Sequence, residues 1–145
     1  MLLLDGKIAS AAVKKVLQAE IQILAQSGKR QPHLAAILVG SNGASETYVA
    51  SKIKSCEETG IKSTLIRLDS EVDEPVLLEA ITNLNEDPDV DGILVQLPLP
   101  KQIREHKVIE AINPAKDVDG FHSSSAGKLV QGLPTFIPAT PYGIM

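Results

Sequence analysis

Tyr48 and Lys52 stand four residues apart in Thr47-Tyr48-Val-Ala-Ser-Lys52. On a helix that spacing sets a phenol ring and an amine side by side on a rigid element. An aromatic surface beside a proton carrier suits chemistry on a flat ring; the plainer alternative is a solvent-facing pair on an amphipathic helix. Gln96 is one amide at the end of the otherwise apolar run Gly92-Ile-Leu-Val-Gln96-Leu97-Pro98. Such an amide must find partners or carry a desolvation cost of about 1–3 kcal/mol, so it bonds either to loop backbone or to Lys52 or a ligand. Asp117 and Asp119, in Lys116-Asp-Val-Asp-Gly120, point the same way in extended chain. No His or third carboxylate stands at ligand spacing, so no metal site is expected. One Asp is left to cap the turn and the other to meet a ligand. His33, His106 and His122 are isolated and read as surface or turn residues.

The elements that must position these residues follow from periodicity. Lys7 to Ser27 reads as an amphipathic helix with Ile8, Ala12, Val16, Ala19 and Ile23 on its inner face and Gly28 as its stop. Leu34 to Val39 is an unbroken apolar run, as in a strand covered on both faces. The helix of Tyr48 and Lys52 follows, capped by Ser41 or Asn42, with Val49, Ile53 and Cys56 as its buried stripe and Gly60 as its end. Ile61 to Leu68 is a second strand. Asp73 caps a third helix with Pro75 in its first turn and Val76, Leu77, Ala80, Ile81 and Leu84 facing inward. Ile93 to Leu97 is a third strand, and Pro98-Leu-Pro100 a stiff extended loop. Short helices are expected at Arg104 to Ile112, around Ala126 to Val130, and from Pro141.

Strand and helix in alternation predict an α/β fold, a three-layer α/β/α domain with a mostly parallel sheet. Ligands of such sheets bind outside the carboxyl ends of the strands. Gly40 with the start of the Tyr48 helix, and Gln96 with Pro98, are therefore expected together on that edge. A chain of 145 residues makes one domain. Its 43% hydrophobic and 22% charged content is that of a soluble globular chain, and a net charge of −4 argues against a nucleic-acid partner. No apolar run approaches the ~20 residues that span a bilayer, and Met-Leu-Leu-Leu before Asp5 is too short for a secretory signal. A single cysteine, Cys56, excludes an internal disulfide and suits a reducing cytosol.

Tyr-x-x-x-Lys is also the catalytic pair of short-chain dehydrogenases. That family needs a glycine-rich nucleotide turn well upstream, and Gly40-Ser-Asn-Gly43 lacks the third glycine of a dinucleotide fingerprint. The order of four motifs points elsewhere. Tyr48-Val-Ala-Ser-Lys52-Ile-Lys-Ser-Cys56-Glu-Glu-Thr-Gly60, Asp91-Gly-Ile-Leu-Val-Gln96-Leu-Pro-Leu-Pro100, Pro114-Ala-Lys-Asp-Val-Asp119-Gly-Phe and Pro138-Ala-Thr-Pro141-Tyr-Gly143 closely resemble the bifunctional methylenetetrahydrofolate dehydrogenase/cyclohydrolases (FolD type). The likeness covers essentially the whole chain and implies the N-terminal, folate-binding half of such an enzyme.

The resemblance implies a catalytic Lys52, a Tyr48 that stacks on the folate, and a Gln96 that orients the lysine. It implies that Leu97 and Pro98 line the pterin pocket and that Asp119 grips the aminopyrimidine edge. It also implies a folate substrate, oxidation of methylenetetrahydrofolate with NADP, hydrolysis of methenyltetrahydrofolate, a cytoplasmic role in one-carbon metabolism and purine biosynthesis, and a homodimeric parent. NADP belongs to a Rossmann half expected beyond Met145, with no cofactor held by this chain. The chain alone is therefore not expected to work as the dehydrogenase. Ala139 stands where the family usually has Cys, a departure expected to cost little. The other reading is a non-catalytic folate- or partner-binding module.

Overall fold

The computed structural model describes residues 5–144; the opening Met-Leu-Leu-Leu run and Met145 lie outside them. Its centre is β1 (His33–Val39), paired in parallel with β2 (Lys62–Leu68) on one side and β3 (Gly92–Val95) on the other. Ile37 sits opposite both Ile66 and Val95. Helices cover both faces of this all-parallel sheet, which is why Leu34-Ala-Ala-Ile-Leu-Val39 has no alternation. Ala35, Ile37 and Val39 face a core completed by Leu77, Ile81 and Leu84 of α3 (Glu74–Glu86) and Val108 of α4 (Glu105–Ala111). Ala36, Leu38 and Leu94 are buried on the other face, where α2 (Gly43–Thr59) brings Val49 and Cys56. The three layers are thus helix, all-parallel sheet, helix.

The local signals for α2 hold. Asn42 Oδ1 accepts from Ala44 N at 3.0 Å and Ser45 N at 3.3 Å, and Gly60 ends the helix at φ 85°. Burial pushes the Cys56 thiol up, with Glu57 adding to it, so this cysteine is packing rather than nucleophile. α5 (Ser123–Val130) starts earlier than the expected short helix and is capped by the His122 ring, whose Nδ1 accepts from Ser124 N at 3.0 Å. α6 (Ala139–Ile144) begins two residues before the predicted turn.

Five expectations are corrected by the structure. α1 (Gly6–Gln26) packs on α2 through Lys14, Ile21 and Leu24, while Ile8, Val16 and Ile23 are exposed. Both faces of this helix are apolar, so spacing left the choice open. The Lys14 Nζ–Glu58 Oε2 ion pair at 2.6 Å and the bare Cα of Gly60 beneath Ile21 decide it. His33 is buried at the start of β1, with Nδ1 3.0 Å from Asp89 O and Nε2 2.8 Å from Thr64 Oγ1. Val76 points outward from α3, and Asp73 precedes that helix without a side-chain cap bond. β3 ends at Val95 rather than Leu97.

The starts of α3 and α4 are joined by Glu74. Its Oε2 accepts from Arg104 N and Nε, each at 2.9 Å, and its Oε1 pairs with Arg104 Nη2 and, at 3.7 Å, with Lys107 Nζ. The Arg104 guanidinium, then its backbone N–H, lower the Glu74 pKa from the ordinary 4.5 to about 2. A carboxyl lowered on folding stabilises the fold above its unfolded pKa and stops doing so as pH falls to the folded value. Glu74→Gln is accordingly expected to lower Tm at neutral pH, with the difference from the unaltered chain closing between pH 4.5 and about 2. Thermal melts across that range check this; a constant difference would contradict it.

Candidate active site

Three segments converge at the carboxyl ends of the strands. Gly40 turns the chain out of β1 at φ 76°, and α2 then carries Tyr48 and Lys52 back over the rim. Gln96 lies just past β3, yet its N–H still donates to Ile37 O at 2.9 Å. Its backbone therefore belongs to the ladder while its side chain is free to face outward. Lys52 Nζ donates to Gln96 Oε1 at 3.3 Å, and Gln96 Nε2 donates to Leu97 O at 2.7 Å. Both open readings of the amide hold at once: its oxygen receives the lysine and its nitrogen is tied to loop backbone. The bond to Leu97 orients the amide so that its oxygen, not its nitrogen, meets the amine.

The third segment is the Lys116–Gly120 turn. Ile93 N donates to Lys116 O at 2.8 Å, which fastens the turn to the free edge of β3. Lys116 Nζ donates to Leu84 O at 2.8 Å and Asp87 O at 2.7 Å, binding the same turn to the end of α3. Asp117 is buried and caps the turn; Asp119 is half-buried and faces the cleft. Asp117 thus takes the capping role expected of one of the pair, and Asp119 is left facing the cleft. Burial pushes the Asp119 carboxyl up, the nearby Lys52 amine opposes that shift, and Asp117 adds to it. Gly120 has φ 71°, and a Cβ there would lie 2.5 Å from Phe136 O. Glycine alone lets the turn approach the strand of chain leading to Pro138 this closely.

Together these segments enclose an open cleft of about 500 Å³ lined by Tyr48, Lys52, Gln96, Leu97 and Asp119. Tyr48 is 64% exposed, so its ring face is free to cover a flat ligand rather than fill the core. Pro98 is the exception among the expected residues: it is exposed and outside the cleft lining, because the chain turns away after Leu97. The structure adds Val95, Phe121 and the Pro138–Pro141 stretch as walls. Phe121 and Pro138-Ala-Thr-Pro141 were visible only as parts of motifs; nothing in their spacing assigned them to this cleft. The donor set is an amine, a carboxamide and a carboxylate around apolar and aromatic walls. It can hold a planar, hydrogen-bonding heterocycle and exchange a proton with it.

A family model described as tetrahydrofolate dehydrogenase/cyclohydrolase, catalytic domain, matches residues 4–119. The chain belongs to this family. Among its relatives, the bifunctional protein FolD of Bacteroides fragilis is 58% identical over 146 aligned residues, covering 100% of this chain and 50% of the relative. That of Cytophaga hutchinsonii is 54% identical over 145, with the same coverage. The solved FolD methylenetetrahydrofolate dehydrogenase/cyclohydrolase of Campylobacter jejuni superimposes with a TM-score of 0.95 at 49% identity, over 100% of this chain and 51% of that one. The Trypanosoma brucei enzyme, solved with NADP cofactor and inhibitor, gives 0.94 at 29% identity, over 99% and 50%. The chain spans about half the length of the relatives it matches.

The Gly120 turn joins two cleft walls, which gives a direct test. Gly28 has the same left-handed backbone, φ 75°, but open space around it. Gly28→Ala should cost about 1–2 kcal/mol from backbone strain alone, and Gly120→Ala clearly more, because the clash with Phe136 O is added. Urea unfolding of both variants checks this; equal midpoints would show that the close approach is relieved at no cost.

Proposed function

We propose that this chain is the folate-binding catalytic half of an enzyme that oxidises 5,10-methylenetetrahydrofolate with NADP and hydrolyses 5,10-methenyltetrahydrofolate to 10-formyltetrahydrofolate. The observation that carries the reading is the Lys52 Nζ–Gln96 Oε1 hydrogen bond at the floor of a cleft shared with Tyr48 and Asp119. A pterin is flat, rich in N–H donors on its aminopyrimidine edge, and reactive at the opposite side. Tyr48 stacks on its face, Asp119 accepts from the edge, and the backbone of Leu97 borders the ring. Lys52 is then directed at the one-carbon bridge by Gln96. In the hydrolysis, the oxygen of water bonds to the methenyl carbon and loses a proton to the Lys52 amine. The carbon–nitrogen bond on the N5 side then breaks as the new hydroxyl loses its remaining proton to solvent and closes to the formyl C=O. N5 takes the first proton back from Lys52, so the cation's charge leaves as one released proton.

The described residues do not suit NADP. The one glycine turn leading from a strand to a helix, at Gly40–Gly43, spends the first amides of α2 on Asn42 and carries Glu46 in the first turn. A dinucleotide phosphate would find few free donors and an adverse charge there. NADP, and with it the hydride transfer, belongs to a second, Rossmann-type half in this proposal. The full enzyme is a cytoplasmic homodimer supplying one-carbon units, including those for purine biosynthesis.

Lys52→Met in a full-length chain should lower cyclohydrolase turnover by at least ~100-fold, the scale of a lost general acid–base group. Turnover within a few-fold of normal would remove lysine from the chemistry and leave a binding module. For this chain, calorimetric titration with 5-formyltetrahydrofolate should show binding that weakens ~10-fold or more in Asp119→Asn, as for hydrogen bonds to a charged group. An ionised carboxylate accepts from two edge N–H groups at once, whereas a protonated one sets an O–H donor against one of them. Since the Asp119 pKa is raised, affinity should fall with decreasing pH at values above the ordinary 3.8, and Asp119→Asn should flatten that profile.

A further inference from the structure

We propose that Asp117, which faces away from the cleft, is a positioning residue that sets the ligand affinity of Asp119. This inference rests on the folate reading above. Asp117 is 2% exposed and accepts four hydrogen bonds. Its Oδ1 takes Gly120 N at 3.0 Å and Phe121 N at 3.4 Å; its Oδ2 takes His122 N at 3.0 Å and Ser125 Oγ at 2.8 Å. All four donors are neutral, and three are consecutive backbone amides immediately after Asp119.

Asp119 is thereby held from both sides. Upstream, the bridge between Asp117 and Ile93 anchors the turn to β3. Downstream, residues 120–122 wrap onto the Asp117 carboxylate, and Ser125, buried in the first turn of α5, closes the cage. With both flanks fixed to the same carboxylate, the chain between them has little freedom, and Asp119 is directed toward Lys52. A buried side chain that only filled space would be apolar here. Two oxygens serving four donors is a requirement that no other side chain of this size meets, and an amide loses one of the two acceptors.

The test is a double-mutant cycle on the 145-residue chain, read by calorimetric titration with 5-formyltetrahydrofolate as probe, with a melting curve for each variant. Asp117→Asn should weaken binding about tenfold or more, on the scale of bonds to a charged acceptor. In an Asp119→Asn background the same change should cost less than about twofold, because effects that pass through one residue are not additive. The pH at which affinity falls should also move down in Asp117→Asn, since the neighbouring carboxylate no longer raises Asp119. Ser125→Ala removes one donor and leaves the backbone bonds, so it keeps the cycle readable if Asp117→Asn melts too low to titrate. Equal losses with and without Asp119 would overturn the inference while leaving the folate reading intact. No binding by the unaltered chain would overturn both.

Discussion

The structure depends on β1 being paired along both edges. Its ladder brings the ends of three strands to one level, and every group of the cleft is referred to that level. Ile37 illustrates this: it is fully buried, opposite Ile66 and Val95, and its carbonyl receives the N–H of Gln96. Hydrogen bonding that continues one residue beyond β3 is what converts a sheet edge into a fixed platform for an amide. Lys52 reaches that amide because α2 leaves β1 through the Gly40 turn and packs back over the even-numbered face.

The opposite end of the sheet is locked separately. Arg30 makes a fork to both oxygens of Asp91, at 2.6 and 2.7 Å, and Asp91 accepts from His33 N at 2.9 Å. These bonds tie the starts of β1 and β3 and add little by exposed charge alone. Their geometric effect is larger, since a slip of either strand would break several of them at once. Polar structure at one end thus holds register, and polar structure at the other faces a ligand.

The cleft combines two kinds of carboxylate. Asp117 is saturated by four donors from Gly120 to Ser125 and has no capacity left for a ligand. Asp119 is desolvated, has Lys52 nearby, and keeps its acceptors available. That division explains how two aspartates only two residues apart serve different ends. The cleft itself is open to solvent.

By itself, the sequence determined the order and type of nearly every element, the caps of α2, and the pairing of Tyr48 with Lys52. These are set by contacts within a few residues, where propensity and spacing act directly. It also limited Gln96 to a short list of partners, because a lone amide on an apolar strand must be satisfied. Only the tertiary structure decided which face of α1 is packed, because Ile8, Val16 and Ile23 are no less apolar than Ile21 and Leu24. It likewise decided that His33 is buried against Asp89 and Thr64, that Asp117 rather than Asp119 closes the turn, and that Phe121 and Pro138 wall the cleft. Each of those outcomes turns on a neighbour far along the chain or on the direction of a turn, and neither is written in local periodicity.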